Sequence, residues 1–301
     1  MADRELNYDI PTEYEGKKIL EYLTSKGYSR QLQTILKKDE DGVYLNGEPA
    51  FLNRKLTEGD KLRIRIKELH SSEKIPPVEL PFNVVYEDED IVVIDKPAKM
   101  PIHPSMNNYE NTLGNAAAYY YRSQGEQFVY RCINRLDRDT TGLTIIAKHM
   151  LSACVLYDQM VGGDIRRTYF AIVQGTLDEK EGTVNLPLGR KPDSAIERMV
   201  DMENGEEAVT HYKVLAESGE LSLLELHLDT GRTHQIRVHM TYIGHPLIGD
   251  FLYNPESRLM DRQALHAGRL EFIHPVTGER LSFEAQMPED MATILREYKM
   301  Q

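Results

Sequence analysis

Cysteine is nearly absent from this chain. Its two cysteines, Cys132 and Cys154, are too far apart for a Cys-x-x-Cys pair. Both sit in apolar stretches, which favours reduced core thiols in a cytoplasmic protein. Long hydrophobic runs are missing as well. No run of about eighteen apolar residues occurs, and the opening MADRELNYDIPTEYEGKK has no apolar segment to serve as a signal sequence, so no membrane partner is expected. Neither GxGxxG, GxxxxGK(S/T) nor GxSxG is present, which removes dinucleotide, P-loop and serine-hydrolase chemistry. The histidines form no HExxH, and His234 and His239, five positions apart, would point in different directions on a helix. The sequence therefore predicts no metal and no organic cofactor.

Positive charge is also in deficit. The formal net charge of −12 argues, by itself, against a nucleic-acid partner. Its distribution softens that objection. Residues 1–75 carry 14 basic and 14 acidic side chains, so the whole excess lies in the remainder. There the acids gather in DEKE 178–181 and DMENGEE 201–207, while arginines concentrate around a few other stretches. A nucleic-acid enzyme needs a local basic cleft rather than a basic sum, so charge permits such a partner without supporting it.

What the chain does have is a charged knot between two apolar runs. In FVYRCINRLDRDTTGLTIIAK, residues 128–148, the runs Phe128–Ile133 and Leu143–Ala147 have the length and composition of buried strands. Between them stand Arg135, Asp137, Arg138, Asp139, Thr140, Thr141 and Gly142. One reading is a surface loop whose ion pairs contribute about 0–1 kcal/mol each. The other is a carboxylate, Asp137, held at a strand end and ringed by guanidinium groups that favour its charged form.

RLDRDTTGLTIIAK resembles the central signature of ribosomal-RNA pseudouridine synthases of the RluA/RluD type. The resemblance makes Asp137 the catalytic residue. It departs at Asn134, often histidine in that family; asparagine cannot titrate, so no proton-transfer role is assigned there. Further blocks follow in the family's order. DKPAKMPIHPS, 95–105, is similar to its first motif, with His103 structural or facing RNA rather than catalytic. RRTYFAIVQG, 166–175, resembles the family's tyrosine block, which implies that Tyr169 is a catalytic residue that stacks on the target base and can handle a proton. TGRTHQIRVH, 230–239, is similar to its third motif and makes Arg237 the partner of Asp137. Arg135, Arg138, Thr141, Arg167, Arg232 and His234 are the implied substrate-binding residues. The resemblance implies an α+β fold: a mixed, mostly antiparallel sheet with flanking helices, spanning residues 82–301.

Ahead of it, residues 12–70 read as a separate small module and 71–81 as a proline-rich linker. Ile19, Leu20 and Leu23 have helical spacing up to Gly27. Ser29 caps a second helix bearing Leu32, Ile35 and Leu36, and KLRIRIK alternates as a strand. This order is similar to the RNA-binding module named after the fourth protein of the small ribosomal subunit. Lys17, Arg30, Lys37 and Lys38 are its implied phosphate contacts, with Asp39-Glu40-Asp41 an acidic departure. Further along, Asn111–Tyr121 and His149–Met160 read as helices, LPLGRKP 186–192 as a loop, and 265–288 as a closing strand pair.

The implied activity is isomerisation of uridine to pseudouridine in structured RNA, with large-subunit ribosomal RNA expected ahead of transfer RNA. The target base must leave its stack. A folded but nearly inactive Arg237→Ala is expected. Two alternatives stand beside this reading. One is a non-catalytic RNA-binding or ribosome-assembly protein; the other is a glycoside-processing enzyme that uses Asp137 and Asp139 as a carboxylate pair.

Overall fold

The computed structural model describes residues 3–68, 72 and 74–300. Its N-terminal part is a four-stranded antiparallel sheet, ordered β1-β4-β2-β3, packed on two helices. The strands are β1 (Arg4–Asp9), β2 (Val43–Leu45), β3 (Glu48–Pro49) and β4 (Lys61–Ile66); the helices are α1 (Ile19–Ser25) and α2 (Arg30–Lys38). The alternation of KLRIRI holds: Leu62, Ile64 and Ile66 are buried against Leu23, Leu32 and Leu36. Ser29 Oγ caps α2 by accepting from the Leu32 amide at 3.3 Å. The expected start at residue 12 is too late, because β1 pairs with β4 along its whole length. Those pairs were invisible in a single strand's pattern: the acids of β1 lie opposite the bases of β4.

The larger part is built on a sheet ordered β5-β6-β7-β14-β8-β13-β12-β9, with β15 added on β14. In chain order these are β5 (Asn83–Glu87), β6 (Ile91–Lys96), β7 (Thr141–Ala147), β8 (Arg166–Gln174), β9 (Glu181–Asn185), β12 (Val209–Glu217), β13 (Leu221–Leu228), β14 (Leu265–Ile273) and β15 (Arg280–Glu284). A two-stranded hairpin, β10 (Leu188–Arg190) and β11 (Arg198–Val200), stands apart. Four helices accompany the sheet: α3 (Leu113–Ser123), α4 (Met150–Gly162), α5 (Gln235–Tyr242) and α6 (Glu289–Glu297). Every strand pair in this sheet is antiparallel except β7 with β14. The α+β class and the mostly antiparallel sheet therefore agree with expectation.

β7 is buried along its full length, as a strand covered on both faces must be. Ile146 joins Val92, Ile94 and the α3 side chains on one face; Leu143 and Ile145 join Leu156 of α4 on the other. Gly142 (φ 107°) lets β7 and β14 approach: a Cβ there would lie 2.2 Å from the Ala267 carbonyl oxygen.

Some expectations are corrected. Phe128–Ile133 is not a strand. It follows β7 through a single bridge, Cys132 to Ile146, and two backbone bonds. The reason lies at Asn134, whose amide takes over the ladder: Nδ2 donates to the Leu143 carbonyl at 3.0 Å and Oδ1 accepts from the Ile145 amide at 2.8 Å. The stretch 186–192 contributes β10 rather than a plain loop. The helix expected from Asn111 begins at Leu113, capped by Thr112. Cys132 and Cys154 are free but only partly buried.

The linker's Ser71 and Glu73 lie outside the described residues. Its remainder has neither helix nor strand but is tied down: the Ser72 amide donates to the Phe128 carbonyl at 3.0 Å and Asn115 Nδ2 to the Pro76 carbonyl at 2.7 Å. The two parts also share an apolar seam in which Leu151, Met150 and Val155 of α4 enter the N-terminal core. Gly27 sits in this seam; a Cβ there would meet Val155 Cγ2 at 2.5 Å. Arg4 reaches Asp90 at 2.7 Å, and Glu68 bridges Arg131 and the Met150 amide.

Candidate active site

Asp137 lies on the loop that leads into β7. The loop's backbone is pinned from beneath. Buried Lys96 donates to the carbonyls of Arg138, Pro97 and Met100, and Arg262 donates to the Asp139 carbonyl. Three carbonyl acceptors occupy all three ammonium hydrogens of Lys96. Burial pushes its pKa down to about 7, with Asp139 and Asp137 pulling the other way.

Opposite, the turn after β13 delivers α5. Arg237, on the first turn of α5, is 2% exposed and donates through Nη1 to Asp137 Oδ2 at 3.0 Å. The sequence reading missed what holds it. Asp250, fully buried, accepts from Arg237 Nε at 2.7 Å and Nη2 at 2.8 Å. Burial alone would lower the pKa of this guanidinium; the bonds to Asp250 and Asp137 outweigh it and raise the value. A bidentate carboxylate on one edge leaves the third nitrogen facing Asp137, so the contact is oriented rather than merely close. The available signal was the Gly249-Asp250 pair in HPLIGD, which carried no motif meaning by itself.

Asp137 and Arg237 sit at a small, open pocket of about 50 Å³. Tyr169, from the middle of β8, lines it at 4% exposure, and its hydroxyl has no hydrogen-bond partner among the described residues. Leu136, Leu228 and Leu265 supply an apolar floor that sequence reasoning did not identify, since each looked like ordinary strand or loop packing. Arg135, Arg232 and His234 complete the rim. A neighbouring, larger cleft adds Arg190 and Arg198 from the β10–β11 hairpin, alongside Arg135 and Arg232. A basic mouth therefore exists despite the net charge.

Three expected site residues lie elsewhere. Arg138 turns away to pair with Asp139 at 2.7 Å. Thr141 bonds His266 Nδ1 at 2.9 Å behind the strand, and the preceding Thr140 lines the pocket instead. Arg167 lies under the Thr230–Arg232 turn, where its Nη1 is 3.1 Å from the position a Gly231 Cβ would take. It supports the turn that presents Arg232. Arg232 itself is held by Glu206 and by the Glu207 carbonyl at 3.0 Å.

His234 is the N-cap of α5, with φ 58° and ψ 17° in the left-handed region. Its Nε2 lies 3.9 Å from Asp137 Oδ2 and its Nδ1 lies 3.0 Å from the Tyr253 hydroxyl. Burial lowers its pKa, with the Asp137 charge opposing. Asp139 is 5% exposed and committed to Arg138, so it does not pair with Asp137 across a shared pocket. That removes the two-carboxylate arrangement a glycoside-processing enzyme requires.

In the N-terminal part, Lys17, Arg30, Lys37 and Lys38 are exposed, and no carboxylate lies within ion-pair distance of them among the described residues. The acidic insert does not quench them. Asp39 and Asp41 turn instead to Lys67, at 2.8 and 3.3 Å.

Asp88, Asp90 and His274 have ligand atoms close enough to hold an ion. Each is already engaged: Asp88 by His274 and Tyr86, Asp90 by Arg4 and His149. No helix among the described residues is long and apolar enough to cross a membrane.

Comparison with known proteins gives a consistent picture. The family described as RNA pseudouridylate synthase matches residues 90–242. An uncharacterised RNA pseudouridine synthase of Bacillus subtilis, YjbO, is 38% identical over 278 residues, covering 92% of this chain and 98% of that protein. The ribosomal large subunit pseudouridine synthase D of Vibrio cholerae is 37% identical over 287 residues, covering 91% and 87%. Among solved structures, human RNA pseudouridylate synthase domain containing 1 has a TM-score of 0.58 at 23% identity, covering 75% of this chain and 98% of that one; it supports the fold alone.

Proposed function

The chain belongs to the RNA pseudouridylate synthase family, and from that premise we propose that it isomerises specific uridines of large-subunit ribosomal RNA in the pocket around Asp137. The observation that carries the reading is the Asp137–Arg237 contact of 3.0 Å, made between side chains 100 positions apart at the wall of a pocket that also contains Tyr169. The large-subunit target draws support from relatives named ribosomal large subunit pseudouridine synthase D.

Isomerisation breaks the bond between uracil N1 and the ribose, turns the base and rejoins it through C5, with a proton lost from C5 and one gained at N1. Nothing is consumed. The uridine leaves its stack to enter the pocket, at a cost of about a few kcal/mol. Leu136, Leu228 and Leu265 give the base an apolar seat, and Tyr169 offers it a ring face. Asp137 is the carboxylate that engages the nucleoside. Arg237 compensates its charge where solvent is displaced, and Asp250 keeps Arg237 from turning away. Arg135 and Arg232 at the rim, with Arg190 and Arg198 beyond, suit the phosphates flanking an extruded nucleotide. The N-terminal module adds RNA affinity through Lys17, Arg30, Lys37 and Lys38. The expected location is the cytoplasm, where ribosomal RNA is modified.

Asp137→Asn keeps the shape of the site and removes the charge. Turnover should fall more than about 10³-fold, while affinity for an unmodified large-subunit RNA transcript stays within a few-fold. Chemical mapping of pseudouridine in RNA from cells carrying only this variant should lose the sites that the unaltered protein supplies. Persistence of those sites would sink the reading.

A further inference from the structure

The Tyr253 hydroxyl has two partners, and together they favour one placement of its hydrogen. The Arg198 backbone N–H, on strand β11, can only donate, and it reaches the Tyr253 oxygen at 2.8 Å. With the amide taking an acceptor position, His234 Nδ1, at 3.0 Å, is the acceptor within reach of the hydroxyl hydrogen among the described residues. A ring nitrogen that accepts carries no hydrogen, so the neutral imidazole holds its single hydrogen on Nε2. Nε2 is the nitrogen that faces Asp137, 3.9 Å from Oδ2. That gap is too long for a direct bond. It leaves an N–H donor beside the carboxylate, free for an oxygen of the bound nucleotide. The neutral state agrees with burial lowering the His234 pKa.

The surroundings treat Tyr253 as a fixed point. Asp250 Oδ1 accepts from the amides of Leu252 and Tyr253 at 3.0 and 3.2 Å, so the carboxylate that grips Arg237 also orders the turn bearing Tyr253. The Tyr253 ring lies 5.1 Å from the Arg237 guanidinium carbon and meets the His234 ring edge-on at 5.7 Å. His234 sits in the left-handed region that non-glycine residues seldom adopt, a conformation that persists only where neighbours hold it. The one described hydrogen bond of its ring is the one to Tyr253.

We propose that Tyr253 is a positioning residue that holds His234 as the Nε2–H tautomer, aims that donor into the pocket beside Asp137, and anchors the β10–β11 hairpin to the same point. The proposal rests on the reading of the pocket as the site of uridine isomerisation. Its consequence is that the hairpin carrying Arg190 and Arg198 and the donor next to Asp137 share one hydroxyl.

The test has two arms. In the first, long-range ¹H–¹⁵N spectra of the full chain with labelled histidine, without RNA, report which ring nitrogen carries hydrogen; His234 is assigned by its disappearance in His234→Gln. The expected pattern places hydrogen on Nε2 and makes Nδ1 an acceptor whose resonance shifts in Tyr253→Phe. In the second, Tyr253→Phe, which keeps the ring, should lower kcat on an unmodified large-subunit RNA transcript about tenfold with KM changed less than about twofold. Hydrogen on Nδ1 in the unaltered protein overturns the proposal, and so does a Phe variant with full kcat or a loss confined to KM. If the unaltered protein shows no turnover at all, the functional reading fails, and the spectra still decide the tautomer.

Discussion

Arg237 and Arg63 are the same side chain in opposite situations. Arg237 is 2% exposed, clamped by Asp250 on one edge and facing Asp137 on the other. Arg63, on β4, is 39% exposed, pairs with Glu5 at 3.1 Å and lies over the Tyr44 ring at 4.1 Å. At the pocket wall, Arg237 and Asp250 are desolvated and each depends on the other. On the N-terminal sheet, Lys61, Arg63 and Arg65 meet Asp9, Glu5 and Asp3 from β1 and its approach in near-surface pairs. The difference teaches that a guanidinium's role follows from what solvent can still reach. It also shows that the basic face of KLRIRIK is largely answered by these acids, whereas Lys17, Arg30, Lys37 and Lys38 have no ion-pair partner among the described residues.

The sharpest way to test that contrast is to truncate both arginines. Arg237→Ala leaves Asp250 buried without a counter-charge and should destabilise the chain by about 3–5 kcal/mol. Arg63→Ala should cost about 0–1 kcal/mol. Denaturant unfolding of the two variants measures both, and equal effects would erase the distinction. This replaces the expectation that Arg237→Ala folds normally: that view knew of Asp137 but not of Asp250. Arg237→Ala is therefore a poor probe of catalysis, and Asp137→Asn is the cleaner one.

A second contrast separates binding from chemistry. Lys37→Ala combined with Lys38→Ala should reduce the slope of log affinity against log salt by about 2, one for each phosphate no longer neutralised. The kcat on saturating RNA should not change. An unaltered slope would remove α2 from the RNA interface.

The smallest expected effect concerns acid. His266, bonded to Thr141 where β7 starts, is pushed down to about 4 by burial, partly opposed by the Ala285 carbonyl. Its neutral form is favoured on folding, so its contribution is fully present above the unfolded value of about 6.5 and is lost as pH falls toward 4. Thermal unfolding at pH 7 and pH 5 should therefore show a drop that His266→Gln reduces. An undiminished drop would assign the acid sensitivity to other groups.

Much of the site was legible because its chemistry is written in local motifs. Asp137, Tyr169 and Arg237 do meet at one pocket, and Arg135, Arg232 and His234 line it. Arg138, Thr141 and Arg167 do not line that pocket, because adjacency in a motif does not say which way a side chain turns. Arg138 found Asp139, Thr141 found His266, and Arg167 slipped under Gly231. Asp250 and Tyr253 were missed because their partners lie on other elements, and no spacing announces a buried counter-charge. In the fold, strongly periodic elements such as β4 and α4 emerged at their expected places. Phe128–Ile133 did not become a strand, because the Asn134 side chain occupied its ladder.

By itself the sequence determined the periodic elements, the order of the motifs and the residue types around Asp137, since those depend on residue type and short spacing. Tertiary structure alone decided which charges are buried together, which basic residues stay free, and that one turn, 250–253, supports both Arg237 and His234. Those outcomes depend on solvent exclusion and on contacts between distant segments, and neither quantity exists in a chain before it has packed.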